Sequence, residues 1–385
     1  MTKLKCLALV ASTASLLAAS VGSADDAVRI GLIAPLTGSW SSEGQAMRNG
    51  VQLLAEEQNA RGGLLGKPVE ILVEDDGSDP RIASSAAQRL VARGAVAVIG
   101  SYASSVTEAT QSVFDEASIP QVAVGSTAVR LTEKGLPHFF RICPRDDEQG
   151  RVAAATLEAM KAKRVAVLHD NSTYSKGLAD QIGTILAEKR KEPVFFDALT
   201  PRERNYAPVL RRLMASRPDV VFFTGYYPEA GLLLRQKRRM GWATPFVGGD
   251  AVNNPDLVKV AGKSAAAGFL YLSPPVPRDL GAPEARAFVR RYEKRFREPL
   301  GSTYGVLAGD AFGVLASAIE ATRTTSADAI SKALKSGMAF RGFTGAISFD
   351  AKGDRVGDLF RVYRIRKDGG SVLYEAGGAT RRHAP

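Results

Sequence analysis

Cysteine and histidine are scarce in this chain of 385 residues, and their scarcity excludes several classes of site. There are two cysteines and three histidines. Cys6 lies in an N-terminal leader, so only Cys143 remains after processing and no internal disulfide can form. No cysteine pair has metal-ligand spacing, and no G-x-S-x-G, H-E-x-x-H or nucleotide-binding glycine pattern is present. We therefore expect no metal, no cofactor and no catalytic centre.

We also expect long apolar runs to be confined to the N-terminus. Residues 1–24 combine Lys3 and Lys5 with an apolar run from Leu7 to Ala19 and a small-residue end, the pattern of a cleaved secretory signal. No later segment looks long and apolar enough to cross a bilayer. The pattern predicts a soluble protein that is either secreted or exported to the periplasm.

Acidic residues are outnumbered, with 40 Asp and Glu against 51 Lys and Arg. The basic runs RQKRR (235–239) and RRYEKRFR (290–297) lie in helical patterns that also carry apolar residues. We interpret them as solvated helix faces and expect no nucleic-acid partner.

From Val28 onward, short apolar segments alternate with amphipathic ones. A first series ends near Arg145, and a second begins with RVAVLHD. Strands that are buried on both faces and separated by helices form mostly parallel sheets. The chain is long enough for two cores. We therefore predict two doubly wound α/β lobes, with further helices near 284–297, 304–321 and 326–336 and strands in AISFD, LFRVYRI and SVLYEA.

The segments that follow the strands are where a ligand of an open parallel sheet binds. In GSYASSVTE, Ser105 and Glu108 fit a capping box, which would leave the Ser104 hydroxyl and the first helical amides free to hold an anion. Ser104 would otherwise serve as a second capping serine. In VGSTAV, Gly125 permits close backbone approach and Thr127 offers a hydroxyl.

Two strand ends in the second series carry further candidates. Tyr226 follows the strand VVFF, where an aromatic hydroxyl can close over a small ligand. Pro228 and Glu229 fit the first turn of the next helix. Asp250 in VGGDAV either caps a helix or meets a ligand cation, and the residues alone leave both roles open.

With these features in place, the chain resembles the leucine/isoleucine/valine-binding proteins, the periplasmic receptors of branched-chain amino-acid ABC transporters. The resemblance spans about residues 28–378. It is carried by APLTG, GQAMRNGVQLLAEEQNARGG, DDGSDP, LHDNSTYSKGLA, TGYYPEAGLLLRQKRRMG and FDAKGD. It implies a type I periplasmic-binding fold of two lobes joined by a three-crossing hinge. One lobe would consist of residues 27–145 and 274–357, and the other of residues 146–273 and 358–380.

The resemblance also implies a ligand site. In the family, one lobe holds the ligand carboxylate and part of the ammonium, at positions matched here by Ser104, Gly125 and Thr127. The other lobe completes the ammonium site, at positions matched by Tyr226 and Asp250. We add Tyr174 to the ligand-binding residues. Where relatives place an aromatic over the ligand side chain, this chain has Glu43, with Trp40 three residues earlier. The family's short disulfide is absent, because Ser78 and Ala103 occupy its positions.

The function implied is that of a monomeric receptor that binds an α-amino acid, branched-chain or otherwise apolar, and passes it to an ABC permease. No enzyme activity is expected, and contact with the membrane would be made only through the permease. A sensor of amides or other small metabolites in the same fold is the alternative.

The leader yields the first test. Mass spectrometry of the exported protein is expected to find a mature chain that lacks residues 1–24. Retention of Met1 or Lys3 in periplasmic material would contradict the predicted cleavage.

Overall fold

The computed structural model describes residues 27–375, so the predicted signal peptide lies outside the described residues. A five-stranded sheet with the order β2-β1-β3-β4-β5 is parallel throughout. Its strands are β1 (Val28–Ala34), β2 (Val69–Asp75), β3 (Ala97–Ile99), β4 (Gln121–Ala123) and β5 (Phe139–Arg141).

A seven-stranded sheet with the order β14-β13-β10-β9-β8-β6-β7 follows along the chain. Its members are β6 (Val165–His169), β7 (Phe195–Ala198), β8 (Val220–Thr224), β9 (Phe246–Gly248), β10 (Leu270–Ser273), β13 (Arg361–Ile365) and β14 (Ser371–Leu373). All neighbours are parallel except the β13–β14 hairpin and its pairing with β10. A separate hairpin consists of β11 (Phe340–Gly342) and β12 (Gly345–Ile347). The predicted mostly parallel α/β fold is confirmed.

We call the five-stranded sheet and its helices the first lobe, and the seven-stranded sheet and its helices the second lobe. The first-lobe helices are α1 (Ser41–Ala60), α2 (Pro80–Ala92), α3 (Ser104–Glu116), α4 (Arg130–Glu133), α11 (Pro283–Phe296), α12 (Thr303–Thr322) and α13 (Ala327–Lys335). The second-lobe helices are α5 (Asp146–Ala159), α6 (Thr173–Glu188), α7 (Ala207–Ala215), α8 (Tyr227–Arg239), α9 (Pro255–Ala261) and α10 (Lys263–Ala266). The chain passes between the lobes after β5, after β10 and before β13. The residue boundaries of the lobes stay a prediction.

Helix α12 contradicts the expectation that no segment after the N-terminal leader is long and apolar enough to cross a bilayer. By length and composition it could cross a membrane. It instead packs against α1 and α13, and 72% of its most apolar 18-residue stretch is buried in the protein. Its apolar composition therefore belongs to the core of the first lobe.

A buried ion pair holds the loop after β4 in place. The Nε atom of Arg141, a fully buried side chain, lies 2.6 Å from Oδ1 of Asp354. Nη1 of Arg141 donates to the carbonyls of Ser126 at 3.1 Å and Ala128 at 2.9 Å. Arg145 approaches the other oxygen of Asp354 at 2.6 Å. The guanidinium of Arg141 thus fixes the loop that carries Gly125 and Thr127.

Removing one partner of this pair leaves an uncompensated buried charge. We expect Asp354→Ala to lower the free energy of unfolding by about 3 to 5 kcal/mol in urea titrations. Asp180→Ala is the control, because Asp180 forms an exposed pair with Lys176 on one helix and its loss costs roughly 0.5 kcal/mol or less. Equal effects of the two substitutions would contradict the role of the buried pair.

Candidate functional site

The carboxyl ends of strands from both sheets face one cleft between the lobes. Tyr102 follows β3 in the first lobe and Tyr226 follows β8 in the second, and their ring centroids are 5.8 Å apart. The Trp40 ring lies 4.2 Å from the Tyr226 ring. The Tyr102 hydroxyl donates to the carbonyl of Ala251 across the cleft at 3.4 Å. The predicted convergence of the strand ends is therefore present.

Asp250 is buried at the floor of this cleft. Nε2 of Gln149 donates to its Oδ1 at 3.0 Å, and the Tyr304 hydroxyl donates to its Oδ2 at 3.0 Å. The backbone N–H of Asp250 donates to Oε1 of Gln149 at 2.8 Å. Asp250 is the first residue of a short 3-10 helix whose N-cap position is Gly249, and the following helix α9 is capped by Asn254. The capping alternative is therefore wrong, and the carboxyl lies within the cleft.

A second buried carboxyl, Asp146, was missed by the sequence analysis. Nε2 of Gln149 also donates to Oδ1 of Asp146 at 3.1 Å, so one amide joins the two acids. Burial raises the pKa of Asp250, and burial together with repulsion from Asp250 raises that of Asp146 well above its usual range. In sequence, Asp146 is one of three acids in the first turn of α5, which no local signal distinguishes from ordinary helix-start acids.

The loop after β4 approaches the same pair. A Cβ atom at Gly125 would lie 2.8 Å from the Tyr102 carbonyl oxygen and 3.0 Å from the Tyr304 ring, which agrees with the close approach expected there. The Thr127 carbonyl accepts a hydrogen bond from the backbone N–H of Asp146 at 2.9 Å. The Thr127 side chain also lies beside the Asp146 carboxyl and opposes the rise in its pKa.

The predicted capping box is wrong. Helix α3 begins at Ser104, so Ser105 lies inside the helix and makes no cap. The Glu108 carboxylate pairs with Arg130, whose Nε donates to it at 3.0 Å. The Ser104 hydroxyl accepts a hydrogen bond from the Ala128 N–H at 3.3 Å. The local pattern had assigned Glu108 to the helix start, but its carboxylate instead forms a charged hydrogen bond with Arg130 from another segment.

Tyr174 and Tyr226 form the second-lobe wall of the cleft. Their ring centroids are 5.6 Å apart. The Tyr174 hydroxyl accepts from the Ala251 N–H at 3.5 Å. Burial raises the pKa of both phenols well above the ordinary value, so both are neutral.

Trp40 and Glu43 take different positions at the start of α1. Trp40 is half-buried and its ring centroid lies 5.9 Å from that of Tyr102. We call the rings of Trp40, Tyr102 and Tyr226 the aromatic wall of the cleft. Glu43 is fully buried and accepts a hydrogen bond from Nδ2 of Asn254 at 2.6 Å. The sequence analysis also missed Tyr102 and Tyr304, because their neighbours along the chain give no sign of the cleft.

Three buried polar atoms of the cleft make no hydrogen bond of standard geometry in the described part of the chain: Oγ1 of Thr127, Oδ2 of Asp146 and the hydroxyl oxygen of Tyr226. Thr127 nevertheless lies close enough to Asp146, and Ser172 close enough to Tyr226, to oppose the rise in the pKa of each. Buried polar atoms in native proteins are nearly always paired, so such a set on three segments indicates a place for a polar ligand. Within residues 27–375, no group of three or more His, Cys, Asp or Glu side chains is arranged to hold a metal ion.

Comparison with known proteins identifies similar chains. The family model described as periplasmic binding protein matches residues 27–370. The Leu/Ile/Val-binding protein BraC3 of Rhizobium johnstonii is 33% identical over 353 residues, which are 91% of this chain and 94% of the relative. The leucine binding protein LivK of Thermotoga maritima matches with a TM-score of 0.84 and 28% identity, covering 90% of this chain and 98% of that one. LivJ of Streptococcus pneumoniae, solved with isoleucine, gives 0.82 and 27%, covering 91% and 99%.

The raised pKa of Asp146 makes the ligand-free protein sensitive to pH. Stability from a carboxyl with a raised folded-state pKa is lost as pH rises through that pKa, by at most about 1.4 kcal/mol per pH unit. We therefore expect the free energy of unfolding of Asp146→Asn, relative to wild type, to increase between pH 4 and pH 8 in urea titrations. The exposed Asp197→Asn serves as control, and a difference independent of pH would contradict the prediction.

Proposed function

Because the chain belongs to the periplasmic binding protein family, we propose that it is a periplasmic receptor that captures an α-amino acid and delivers it to the permease of an ABC transporter. The observation that carries this proposal is the buried pair of Asp146 and Asp250, joined by the amide of Gln149. The receptor binds, encloses and releases its ligand without changing it.

The carboxyl pair suits the ligand ammonium. An ammonium group has three donors and a positive charge, while the partners of Asp250 from Gln149 and Tyr304 are neutral. Oδ2 of Asp146 and the Thr127 hydroxyl, which lie beside each other and make no hydrogen bond of standard geometry, supply further acceptors. Charge-assisted hydrogen bonds of this kind are about twice as strong as neutral ones. A bound ammonium therefore balances the charge that burial makes unfavourable in the empty cleft.

The first lobe supplies the other end of the site. Ser104 opens the 13-residue helix α3, whose first amides and dipole favour an anion. We assign the ligand carboxylate to this end, with the Gly125 carbonyl and Thr127 holding part of the ammonium. Tyr226 completes the ammonium site from the second lobe.

The ligand side chain is assigned to the aromatic wall of Trp40, Tyr102 and Tyr226. Aromatic rings favour an apolar group. A branched-chain amino acid fits this wall, and the names of BraC3 and LivK and the isoleucine bound to LivJ support the same class.

Closure of the two lobes encloses the ligand. We assign residues 27–145 and 274–357 to one lobe and 146–273 and 358–380 to the other, with a hinge at the three crossings. The closed monomer is the form that the permease recognises, after export and removal of residues 1–24.

A thermal-shift screen tests the proposal. The probes are the twenty amino acids, benzoate and simple primary amides. With all probes at one common concentration, leucine, isoleucine or valine is expected to stabilise the protein most, by about 2.7 kcal/mol if that concentration is 100 times its Kd. Stabilisation by benzoate alone would overturn the amino-acid assignment, and stabilisation by amides alone would overturn it and favour a sensor. No stabilisation by any probe would overturn both.

Asp250→Ala provides the sharper test. Loss of one partner of a desolvated charge pair costs about 2 to 5 kcal/mol, so Kd for isoleucine should weaken roughly 30-fold to several thousand-fold in calorimetric titrations. Asp197→Ala, an exposed second-lobe variant, should bind like wild type. An unchanged Kd in Asp250→Ala would refute the ammonium site, and melting curves of both variants establish that they fold.

A further inference from the structure

The start of α1 makes a second contact between the lobes. Oε1 of Glu43 accepts a hydrogen bond from Nδ2 of Asn254 at 2.6 Å, and Oε2 is bound by the Ser302 hydroxyl. Glu43 and Ser302 belong to the first lobe and Asn254 to the second. All three side chains are buried. One carboxyl group therefore spans the boundary between the lobes.

Both partners of Glu43 are helix caps. The Ser302 hydroxyl accepts from the Tyr304 N–H at 3.0 Å at the start of α12. Oδ1 of Asn254 accepts from the Asp256 N–H at 2.7 Å at the start of α9. Because capping fixes both side chains, the carboxyl has two preset partners when the lobes meet.

We propose that Glu43 is an interlobe latch, a positioning residue that holds the lobes closed and thereby sets the affinity for the ligand. The inference rests on the proposed function, since closure over a ligand is its mechanism. Neighbouring side chains make further contacts between the two lobes. The Tyr227 hydroxyl lies 3.0 Å from the Ser42 hydroxyl oxygen and donates to the Ser39 carbonyl at 2.9 Å.

The latch is expected to depend on pH. Burial raises the pKa of Glu43 to about 7; hydrogen bonds from Ser302 and Asn254 oppose this shift, and repulsion from Asp256 and Asp250 adds to it. The other ionisable groups that face it are Tyr102, Tyr227 and Tyr304, and burial raises the pKa of each, so they stay neutral.

The sign of the pH effect follows from the two states of the cleft. Opening returns Glu43 to water, where its pKa is near the ordinary 4.5. The closed form therefore keeps a proton that the open form releases. The free energy of closure is therefore most favourable below about pH 4.5 and becomes progressively less favourable as the pH rises to about 7.

Two substitutions separate the hydrogen bonds from the titration. Glu43→Gln keeps an acceptor for Asn254 and replaces the oxygen that accepts from Ser302 with an amide that can donate to the Ser302 hydroxyl. It cannot ionise, whereas Glu43→Ala removes both contacts. Asp310→Asn is the matched control, because Asp310 is also fully buried with a raised pKa but bonds to Phe343 and Thr344 within the first lobe.

The first readout is the Kd for isoleucine between pH 5 and pH 8. Glu43→Ala should bind about tenfold more weakly than wild type at pH 5, and Glu43→Gln about equally. The ratio of the wild-type Kd to the Glu43→Gln Kd should rise about tenfold or more by pH 8. Comparing the two proteins cancels the titration of Asp146 and Asp250, which they share. Asp310→Asn should show no such change relative to wild type.

The second readout needs no ligand. Small-angle scattering should give a larger radius of gyration for Glu43→Ala than for Glu43→Gln at pH 6, with wild type expanding relative to Glu43→Gln between pH 5 and pH 7. The latch is refuted if Glu43→Ala is as compact as wild type and its Kd is unchanged. If no amino acid binds wild type, the proposed function fails, and the scattering comparison alone decides whether the latch exists.

Discussion

A single side-chain amide, that of Gln149, holds two buried carboxyl groups together, and the cleft is built around that pair. Asp146 comes from the first residue of α5 and Asp250 from the segment after β9. Two acids in an apolar interior are unfavourable without a counter-charge. The empty protein is therefore destabilised at the place where a bound cation would have the most favourable electrostatic energy. Such local destabilisation is frequent at functional sites.

The scaffold keeps this pair in position from two sides. The Tyr304 hydroxyl reaches Asp250 from α12, a helix embedded in the first lobe. Arg141, paired with Asp354, fixes the loop whose Thr127 carbonyl binds the start of α5. Under the proposed function, the carboxyl pair would bind the ligand ammonium better as it ionises with rising pH, whereas the proposed Glu43 latch would be favoured by protonation. Buried acids thus have opposite effects on closure across the neutral range.

The sequence located most of the cleft but few of its bonds. Strand ends converge wherever parallel strands share a sheet, so periodicity alone could place Tyr226 and Asp250 at one edge of the second-lobe sheet and Gly125 at an edge of the first-lobe sheet. That the two edges face each other is decided by the tertiary structure. Their roles toward a ligand stay predictions. The capping box failed because Glu108 is bound by Arg130, which lies 22 residues further along the chain. No short-range pattern contains that information.

What the sequence by itself determined is the alternation of buried strands and amphipathic helices, the two sheets and the segments that follow their strands, because these depend on periods of two and 3.6 residues and on nearby caps. Only the tertiary structure decided that Asp146 joins Asp250, that Tyr102 and Tyr304 line the cleft, and that Glu43 reaches Asn254. Each of those contacts joins segments far apart in the chain, and burial against a distant partner, rather than local propensity, sets the state of each acid.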